Sequence, residues 1–458
     1  MNLKYSKILL YSVTLFLVFE GLDAFSINNI PVYWIGVSFL VFVYLICYWF
    51  GFRTFNLNLF SIRNWVIYGI FITLFQSLFN DLVLPKYAST SYIQYISLRI
   101  LRILLFLVIV YSLNYILKKY EYDEVLKFFL ISSIIISILS LISYFSYLYG
   151  YSDFPRTRQG SGGWSQPIQR ACNILRNYGT FREPSFLAIW TVPFIPYFFY
   201  LGKKNKLWFF LSVFPILSVV LSRSLTGIVA FVSASFLVIL FMIFIHKTID
   251  INLFFMLILF LIIIFTSSLF SFQFPPDDST CLSENGDCIC IPEDRLDELK
   301  SSTNVSDATF GRFFEITSRG LDAFENTAFL FDYVSNEGIS IFGAGYGYSN
   351  ISFSYAADEA TKRVVDNQII YRNPGQVVSF NNLYANILMS TGLIGLFWFL
   401  YILIDVLRKI VLKNNQLQPY LLISFISTLF VYSYQAEELS THLAIAIAFG
   451  LNLINNDK

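Results

Sequence analysis

The stretch RNYGTFREPSFLAIWTVPFIPYFFYLG (residues 176–202) combines the two features that decide the fold of this chain. Its opening residues hold two arginines, Glu183 and Pro184. The residues that follow, 185–201, contain no Asp, Glu, Lys or Arg. An apolar run of about 20 residues is long enough to cross the hydrocarbon core of a bilayer. The stretch therefore predicts a transmembrane helix that begins directly after a charged segment.

The whole chain has the composition of a membrane protein. Of its 458 residues, 56% are hydrophobic and 13% are charged, and the mean hydropathy is +0.62. Soluble domains carry about 25% charged residues. The aromatic fraction of 19% fits lipid-facing helices with aromatic belts at both membrane interfaces. The net charge of +1 gives no basis for a nucleic-acid partner.

Twelve apolar runs predict an all-α, polytopic fold with about twelve transmembrane helices. The predicted helices lie at about 7–25, 32–51, 64–83, 97–117, 126–148, 185–201, 207–222, 225–245, 251–272, 383–407, 417–435 and 439–455. The first resembles a signal peptide, but its apolar part is longer and no small-residue cleavage site follows, so we interpret it as a membrane helix. Polar residues interrupt the third helix and the last two.

This pattern divides the chain into five parts. They are five N-terminal helices (1–148), a first long loop (149–184), helices six to nine (185–272), a large loop (273–382) and three C-terminal helices (383–458). If the N-terminus is cytoplasmic, nearly all Lys and Arg of the short loops fall on the cytoplasmic side, except Lys86 and Arg223. We expect both termini in the cytoplasm, both long loops outside, and helices within 309–334, where apolar residues recur at helical spacing.

Four of the five cysteines fall in the two predicted outer loops. They are Cys172, Cys281, Cys288 and Cys290. Cysteines on the oxidising side of a membrane favour two disulfides, in one of three connectivities, over free thiols. A zinc site is the other alternative, but neither loop contains a histidine.

Arginines beside predicted helices need a physical explanation, because charge in or near a bilayer is costly. Arg99 and Arg102, near the outer end of the fourth helix, share one helix face. They either extend to the outer headgroups or bind a ligand. Arg223, within LSRSLTG at the seventh and eighth helices, is either an interfacial arginine or a ligand-binding one.

The charged segment ahead of the sixth helix has two interpretations. Pro184 suits the first helical position, and Glu183 complements the positive helix N-terminus. Such a cap does not explain Arg176 and Arg182, which are cations placed where the dipole is positive. Cations fit there if an anion binds among them. A pyrophosphate at the outer membrane surface would satisfy all of these arginines.

Two further stretches flank the re-entry of the large loop into the membrane. The glycines of IFGAGYGYSN (341–350) permit a tight turn and close ligand approach. Asn381 and Asn382 are either helix caps or partners of sugar hydroxyls. A last group of polar residues, either candidates for acid–base chemistry or a solvated turn, contains Glu437, Glu438 and His442.

Together these stretches resemble the O-antigen polymerase and ligase superfamily, whose members transfer glycans from undecaprenyl pyrophosphate. The resemblance rests on four ordered motifs within residues 150–400. They are an R-x-x-G-x-F-x-E-P-like stretch at 176–184, an S-R-like turn at 222–223, an F-G-x-G-x-G-like turn at 342–347 and an N-x-Y…G-L-I-G-like stretch at 382–395. Tyr384 is the tyrosine of the last motif.

One departure from the superfamily pattern favours its polymerase (Wzy-type) branch. Ligases of the superfamily carry a histidine directly before the N-x-Y stretch, whereas this chain has Asn381 there. The resemblance implies a GT-C-like membrane core in a bacterial inner membrane, with the active site facing the periplasm. It also implies inverting, metal-independent transfer without a cofactor between two lipid-linked glycans, and it allows a chain-length regulator as a partner.

The resemblance and the charges suggest roles for individual residues. Glu183 is the predicted base, and Arg176 and Arg182 are the predicted catalytic cations. The predicted substrate-binding residues are Arg223, Arg99, Arg102, Asn381, Asn382 and Tyr384. The PPDDS stretch fits a loop turn better than a metal site. Alternative functions are an O-antigen ligase, a glycan transporter, which predicts internal repeats and charges near the bilayer midplane, and a structural or sensory membrane protein.

Overall fold

The computed structural model describes most of the helical chain. The described residues are 3–27, 30–50, 60–79, 92–149, 157, 176–247, 250–269, 336, 340–352, 380, 382–413, 415–434 and 438–452. Several sequence predictions lie outside them: the helices within 309–334, the disulfides of the four loop cysteines, and the roles of Asn381 and Glu437. The remaining cysteine, Cys47, is buried, and its Sγ lies 3.9 Å from the carbonyl oxygen of Tyr5.

The described residues are almost entirely α-helical. Their helices are α1 (Leu3–Gly21), α2 (Val32–Phe50), α3 (Phe60–Phe79), α4 (Tyr92–Leu117), α5 (Tyr122–Leu148), α6 (Pro184–Thr191), α7 (Ile195–Gly202), α8 (Lys206–Leu211), α9 (Val213–Ser222), α10 (Leu225–Phe241), α11 (Ile251–Leu269), α12 (Leu383–Leu412), α13 (Gln418–Tyr434) and α14 (Thr441–Asn452). A 3-10 turn, Val192–Phe194, joins α6 to α7, and a π-helical turn, Met242–His246, extends α10. Two short antiparallel strands, β1 (Ser26–Ile27) and β2 (Ile30–Pro31), precede α2.

Each of the twelve predicted helices corresponds to helical structure, so the all-α prediction is confirmed for the described residues. The bounds differ by a few residues: the first helix covers Leu3–Gly21 instead of 7–25, because Asp23 and Ala24 already belong to the turn that follows. Six helical stretches are long and apolar enough to cross a membrane. They are Val32–Trp49, Tyr95–Leu117, Tyr122–Ser146, Pro184–Gly202, Thr226–His246 and Leu383–Leu412. The chain is therefore a multi-pass membrane protein, whereas the number twelve stays a prediction.

Large apolar side chains on the outside of the bundle fit this conclusion. The exposed fraction is 67% for Trp49, 81% for Leu78 and 73% for Phe244. A soluble protein rarely leaves contiguous apolar faces of this kind in contact with water. In a bilayer the same side chains contact lipid, and their exposure carries no penalty.

The last helix occupies the centre of the bundle. Every residue of α14 is buried, and the helix packs along α4, α12 and α13. At Gly450 a Cβ atom would lie 2.9 Å from Val406 Cγ1, which shows how closely α14 approaches α12. Helix α4 therefore packs against both α14 and α1.

The two ends of the bundle differ in their charged residues. We use the name lysine end for one end of the bundle. Helices α1 and α13 begin at this end, and helices α4 and α7 end there. There, Lys203 Nζ lies 2.5 Å from Asp250 Oδ2, and Lys204 forms an ion pair with Asp123. Asp123 Oδ1 also accepts a 2.7 Å hydrogen bond from the Tyr200 hydroxyl. These contacts connect the ends of α5, α7 and α11.

We use the name arginine end for the opposite end of the bundle. Helices α1 and α9 end there, and helices α6, α12 and α14 begin there. The described lysines and arginines of the predicted cytoplasmic loops lie at or near the lysine end, whereas the predicted site arginines lie at the arginine end. The unequal distribution of lysine between the two ends is the feature that predicts a cytoplasmic lysine end. The orientation in the membrane stays a prediction.

Helix α12 is broken at Gly392. This residue has φ +67° and ψ −170°, a conformation that glycine adopts far more easily than other residues. A segment of the chain, residues 340–352, lies against the break; we call it the glycine segment. Its Gly343 has φ +80°, and a Cβ atom there would lie 2.5 Å from the Gly392 nitrogen. The predicted tight turn is present, but the close approach that its glycines allow is to helix α12.

The glycine segment supplies hydrogen-bond partners for the backbone that the break releases. Four backbone hydrogen bonds join it to α12: Ala344 N–H to Met389 O at 2.8 Å, Gly345 N–H to Ser390 O at 2.8 Å, Leu393 N–H to Ser340 O at 3.1 Å and Ile394 N–H to Ile341 O at 3.3 Å. Helix α3 holds the segment from the other side, since Tyr346 N–H donates to Thr73 Oγ1 at 2.9 Å. Irregular backbone inside a membrane protein needs such internal partners.

Candidate functional site

The charged segment 176–183 bridges the ends of two helices. Asn177 N–H donates a 2.9 Å hydrogen bond to Leu221 O, at the end of α9. On the other side, the Thr180 hydroxyl donates a 2.6 Å hydrogen bond to Gly21 O, at the end of α1. Gly179, with φ +49°, packs directly onto α5, which leaves no room for a side chain there. The segment is therefore fixed to α1, α5 and α9 before α6 begins.

Glu183 and Pro184 begin helix α6, as the capping interpretation predicts. Glu183 is extended, with φ −139° and ψ 152°, and Pro184 occupies the first turn. The Glu183 side chain makes no capping hydrogen bond to the helix backbone; instead, its Oε2 accepts a 3.2 Å hydrogen bond from the Ser185 hydroxyl. Its predicted role as a base stays a prediction.

Arg182 forms an ion pair with an acidic residue that the sequence analysis did not single out. Its Nε lies 2.7 Å from Asp23 Oδ2, just beyond the end of α1. The guanidinium also lies over the Phe186 ring, 5.2 Å from its centroid. Arg182 is thus positioned by a carboxylate and an aromatic ring together.

Arg99 and Arg102 meet on one carboxylate, which confirms that they share a helix face. Arg99 Nη1 lies 2.5 Å from Glu438 Oε1, and Arg102 pairs with the same oxygen. Arg99 Nη2 also donates a 2.6 Å hydrogen bond to the Tyr95 hydroxyl. The Arg102 guanidinium lies over the Trp34 ring, at 5.7 Å. Glu438, in the turn between α13 and α14, therefore neutralises part of the positive charge predicted to bind an anion.

Glu20 is a functional candidate that the sequence analysis missed. It lies in the last turn of α1, where its Oε1 accepts a 2.6 Å hydrogen bond from the Thr441 hydroxyl and its Oε2 a 3.1 Å hydrogen bond from Trp190 Nε1. The sequence contained a signal for this residue. A carboxylate within the predicted span 7–25 costs free energy in a bilayer, as the arginines beside the predicted helices do.

A cleft opens between α1, α4 and the turn before α14. The polar residues that line it are Glu20, Tyr33, Arg102, Glu438, Ser440 and Thr441. Leu105, Phe106, Ile109 and Leu439 form its apolar walls. A guanidinium and two carboxylates in a cleft at a membrane-protein helix end are groups that can bind polar or charged ligands.

Arg176 and Arg223 lie close together at the end of α9. Arg176 Nε donates a 3.1 Å hydrogen bond to Ser222 O, the residue directly before Arg223. Arg223 ends α9 in the left-handed region, with φ 50°. The first two sequence motifs are thus neighbours in space.

Asn382 and Tyr384 make structural contacts at the start of α12. Asn382 caps the helix, because its Oδ1 accepts a 3.0 Å hydrogen bond from Ala385 N–H, and its Nδ2 donates to Ser433 O at 2.9 Å. The Tyr384 hydroxyl donates to Leu429 O at 3.3 Å. The capping interpretation of Asn382 is confirmed, and sugar binding by either residue stays a prediction.

His442 is a buried residue, not part of a solvated turn. Its ring packs edge-on against Trp190 and Phe194, with centroid distances of 6.0 and 4.7 Å. Its neighbour Thr441 holds Glu20, so this side of α14 packs against the same tryptophan and carboxylate.

The last two sequence motifs are also neighbours, through the contact of the glycine segment with α12. A link to the arginines exists as well: a Cβ atom at Gly347 would lie 3.2 Å from the Tyr95 ring, and Tyr95 contacts Arg99. Among the described residues, no group of three His, Cys, Asp or Glu side chains is arranged to hold a metal ion.

The sequence was compared with protein-family models and with curated proteins. No family model matches the chain, and no curated protein is similar enough to it to count as a relative. The residues of the arginine end and the resemblance of the four motifs are therefore the basis for a functional proposal.

Proposed function

We propose that this chain is a membrane glycosyltransferase that polymerises undecaprenyl-pyrophosphate-linked repeat units of O-antigen or a related surface polysaccharide. The active site is the arginine end, which faces the periplasm of a bacterial inner membrane in this proposal. One observation carries it most: Arg99, Arg102, Arg176, Arg182 and Arg223 come from separate parts of the sequence and lie at the same end of the bundle.

The reaction follows from the chemistry of the donor. A hydroxyl of the acceptor glycan attacks the anomeric carbon of the donor glycan, a new C–O bond forms, and the bond to the pyrophosphate breaks. The leaving undecaprenyl pyrophosphate keeps the electron pair and is stabilised by positive charge. Planar guanidinium groups suit this task, because they donate paired hydrogen bonds to phosphate oxygens. The hydroxyl proton passes to a carboxylate, for which the sequence predicts Glu183.

The pairing of these arginines with carboxylates also supports an anion-binding role. Asp23 and Glu438 hold the guanidinium groups of Arg182, Arg99 and Arg102 in place. Arginines held in this way are preorganised, so that less side-chain entropy is lost when an anion arrives. Partly exposed ion pairs contribute only about 0–1 kcal/mol to stability, so exchange for a dianionic ligand is energetically feasible.

The experiment is a deletion of the gene in its host, complemented with plasmid-borne variants, followed by separation of surface glycans on a gel. The deletion should leave single repeat units, and the wild-type plasmid should restore a ladder of long chains. Arg182→Lys should reduce long chains about tenfold or more, because a point charge replaces a fork. Arg408→Lys, at the lysine end, is the matched control. Long chains in the deletion strain, or a wild-type ladder from Arg182→Lys, would contradict the proposal.

A ligase that moves the glycan to the lipid A core uses the same chemistry. The same deletion distinguishes the two, because loss of a ligase leaves no repeat unit attached, whereas loss of a polymerase leaves one. A glycan transporter is the candidate of a different class. Broken helices are typical of transporter binding sites, but in α12 the break is filled by the backbone of the glycine segment, and none of the residues that hold it is charged.

A further inference from the structure

Glu20 differs from the other carboxylates of the arginine end in how it is held. Asp23 and Glu438 each form an ion pair with arginine. Both oxygens of Glu20 instead accept hydrogen bonds from neutral donors, Thr441 and Trp190. Two donors from two different helices fix the orientation of the carboxylate, and each oxygen retains a second lone pair. A group with fixed orientation and remaining acceptor capacity is suited to take a proton.

The position of Glu20 relative to the cleft is the second observation. Glu20 lines the cleft together with Arg102, so a substrate there would contact a carboxylate and a guanidinium at once. Glu183 is not among the residues that line it; its carboxylate lies at the start of α6 and contacts Ser185. A general base must lie within hydrogen-bond reach of the proton that it removes.

We propose that Glu20 accepts the proton of the attacking hydroxyl, and that this hydroxyl reaches it in the small cleft between α1, α4 and the turn before α14, while the rest of the sugar lies outside the cleft. The proposal rests on the glycosyl transfer proposed above. In this step the O–H bond breaks, its proton moves to a Glu20 oxygen, and the hydroxyl oxygen bonds to the anomeric carbon. Undecaprenyl pyrophosphate leaves as an anion beside the arginines, of which Arg102 lines the same cleft.

This proposal gives Glu20 the role that the sequence alone predicts for Glu183. It also explains why Trp190 and Thr441 approach the end of α1. They act as positioning residues, because their hydrogen bonds orient the carboxylate. Glu183 then begins α6 as its N-terminal cap residue.

The test uses membrane vesicles from the deletion strain, which contain its own lipid-linked repeat units, with the full-length protein supplied from a plasmid. The rate of chain extension is measured for Glu20→Gln, Glu183→Gln and Asp405→Asn. Glutamine keeps the shape of glutamate: its amide oxygen can accept from Trp190 Nε1–H, and its NH₂ group can donate to the Thr441 hydroxyl in place of the present bond. The melting temperature of each purified variant reports whether the fold is retained. Glu20→Gln should lower the rate at least 100-fold, since a general base contributes about 10²–10⁴. Asp405→Asn, the same change at the lysine end, should leave it within about twofold of wild type.

Chemical rescue provides a readout that a structural role would not move. Added formate should restore part of the rate to Glu20→Ala, because a small carboxylate can take the place of the missing side chain, and it should not restore Glu183→Ala. A Glu20→Gln variant that extends chains at the wild-type rate would overturn the proposal. So would formate rescue of Glu183→Ala together with failure to rescue Glu20→Ala. If vesicles with the wild-type protein extend no chains, the proposed function itself fails, which separates the two outcomes.

Discussion

The break in α12 makes a sharp prediction about Gly392→Ala. A Cβ atom at this position would lie 2.3 Å from Ile341 O and 2.6 Å from the Gly343 nitrogen. Both are backbone atoms, so no side-chain rotation can relieve the overlap. The positive φ of +67° adds strain of about 1–3 kcal/mol for any residue with a side chain. The glycine segment must therefore move away from α12.

The magnitude follows from the four backbone hydrogen bonds that this movement breaks. At about 1 kcal/mol of net stability for each bond, the loss is roughly 4 kcal/mol. Since every 1.4 kcal/mol corresponds to a factor of ten, the amides of Ala344 and Gly345 should lose roughly 1,000-fold of their protection from hydrogen exchange. The measurement is native-state amide exchange of the purified protein in detergent, followed by mass spectrometry.

The matched control is Gly202→Ala, at the end of α7. There a Cβ atom would lie 3.3 Å from Phe209 Cβ, a contact that a movement of a few tenths of an ångström relieves. Exchange of Ala344 and Gly345 should stay at the wild-type level in this control. If Gly392→Ala also keeps their wild-type protection, the explanation of the break by these contacts is wrong.

Three other predictions concern stability and can be read from melting temperatures and local exchange. Arg182→Glu should destabilise the protein by placing two carboxylates together, and the added change Asp23→Arg should restore about 1 kcal/mol of the free energy of unfolding. If the double-mutant cycle shows no coupling between positions 182 and 23, the ion pair is contradicted. Trp65→Phe removes a buried 2.9 Å hydrogen bond to Gly395 O and should cost about 1–3 kcal/mol, whereas an unchanged melting temperature would show that the bond is replaced. Asn205→Ala removes the side-chain cap of α8 and should cost about 1 kcal/mol, with faster exchange confined to the first turn of that helix.

The helices could be predicted from the sequence because the signal for a membrane helix is long and redundant. A run of about 20 apolar residues defines a span even if a few of them are changed. The bounds were less accurate, as in α3, which covers Phe60–Phe79 instead of 64–83. Helix α3, which polar residues interrupt, is not among the six long apolar spans, and α13 and α14 are shorter apolar helices of 17 and 12 residues.

The break in α12 could not be predicted from its local sequence. The stretch STGLIGL (390–396) is apolar enough to continue a helix, and its glycines are compatible with membrane helices. Only the contact with residues 340–352 imposes the unusual conformation of Gly392, and that contact joins parts of the chain that are distant in sequence. Tertiary contacts of this kind override local propensity.

The cations of the candidate site could be predicted from the sequence, but the carboxylates that pair with them could not. The positions of Arg99, Arg102 and Arg182 conflict with the apolar or dipolar surroundings of the sequence, and so they were recognised. Asp23 was not named, and Glu438 was named only as an acid–base candidate or part of a solvated turn, because the pairing of side chains depends on how the helices pack. The sequence predicts an anion-binding role for these arginines, and the structure adds the carboxylates that orient them.

The central position of α14 has a consequence for how the protein is made. Its Thr441 and Asn452 bond to Glu20 and Asn114, which are synthesised 421 and 338 residues earlier. Until the last helix leaves the ribosome, those groups of α1 and α4 lack their final partners, and an unsatisfied polar group in hydrocarbon costs several kcal/mol. Premature termination before residue 438 thus removes the interior of the bundle, and we expect such nascent chains to be substrates for membrane quality-control proteases.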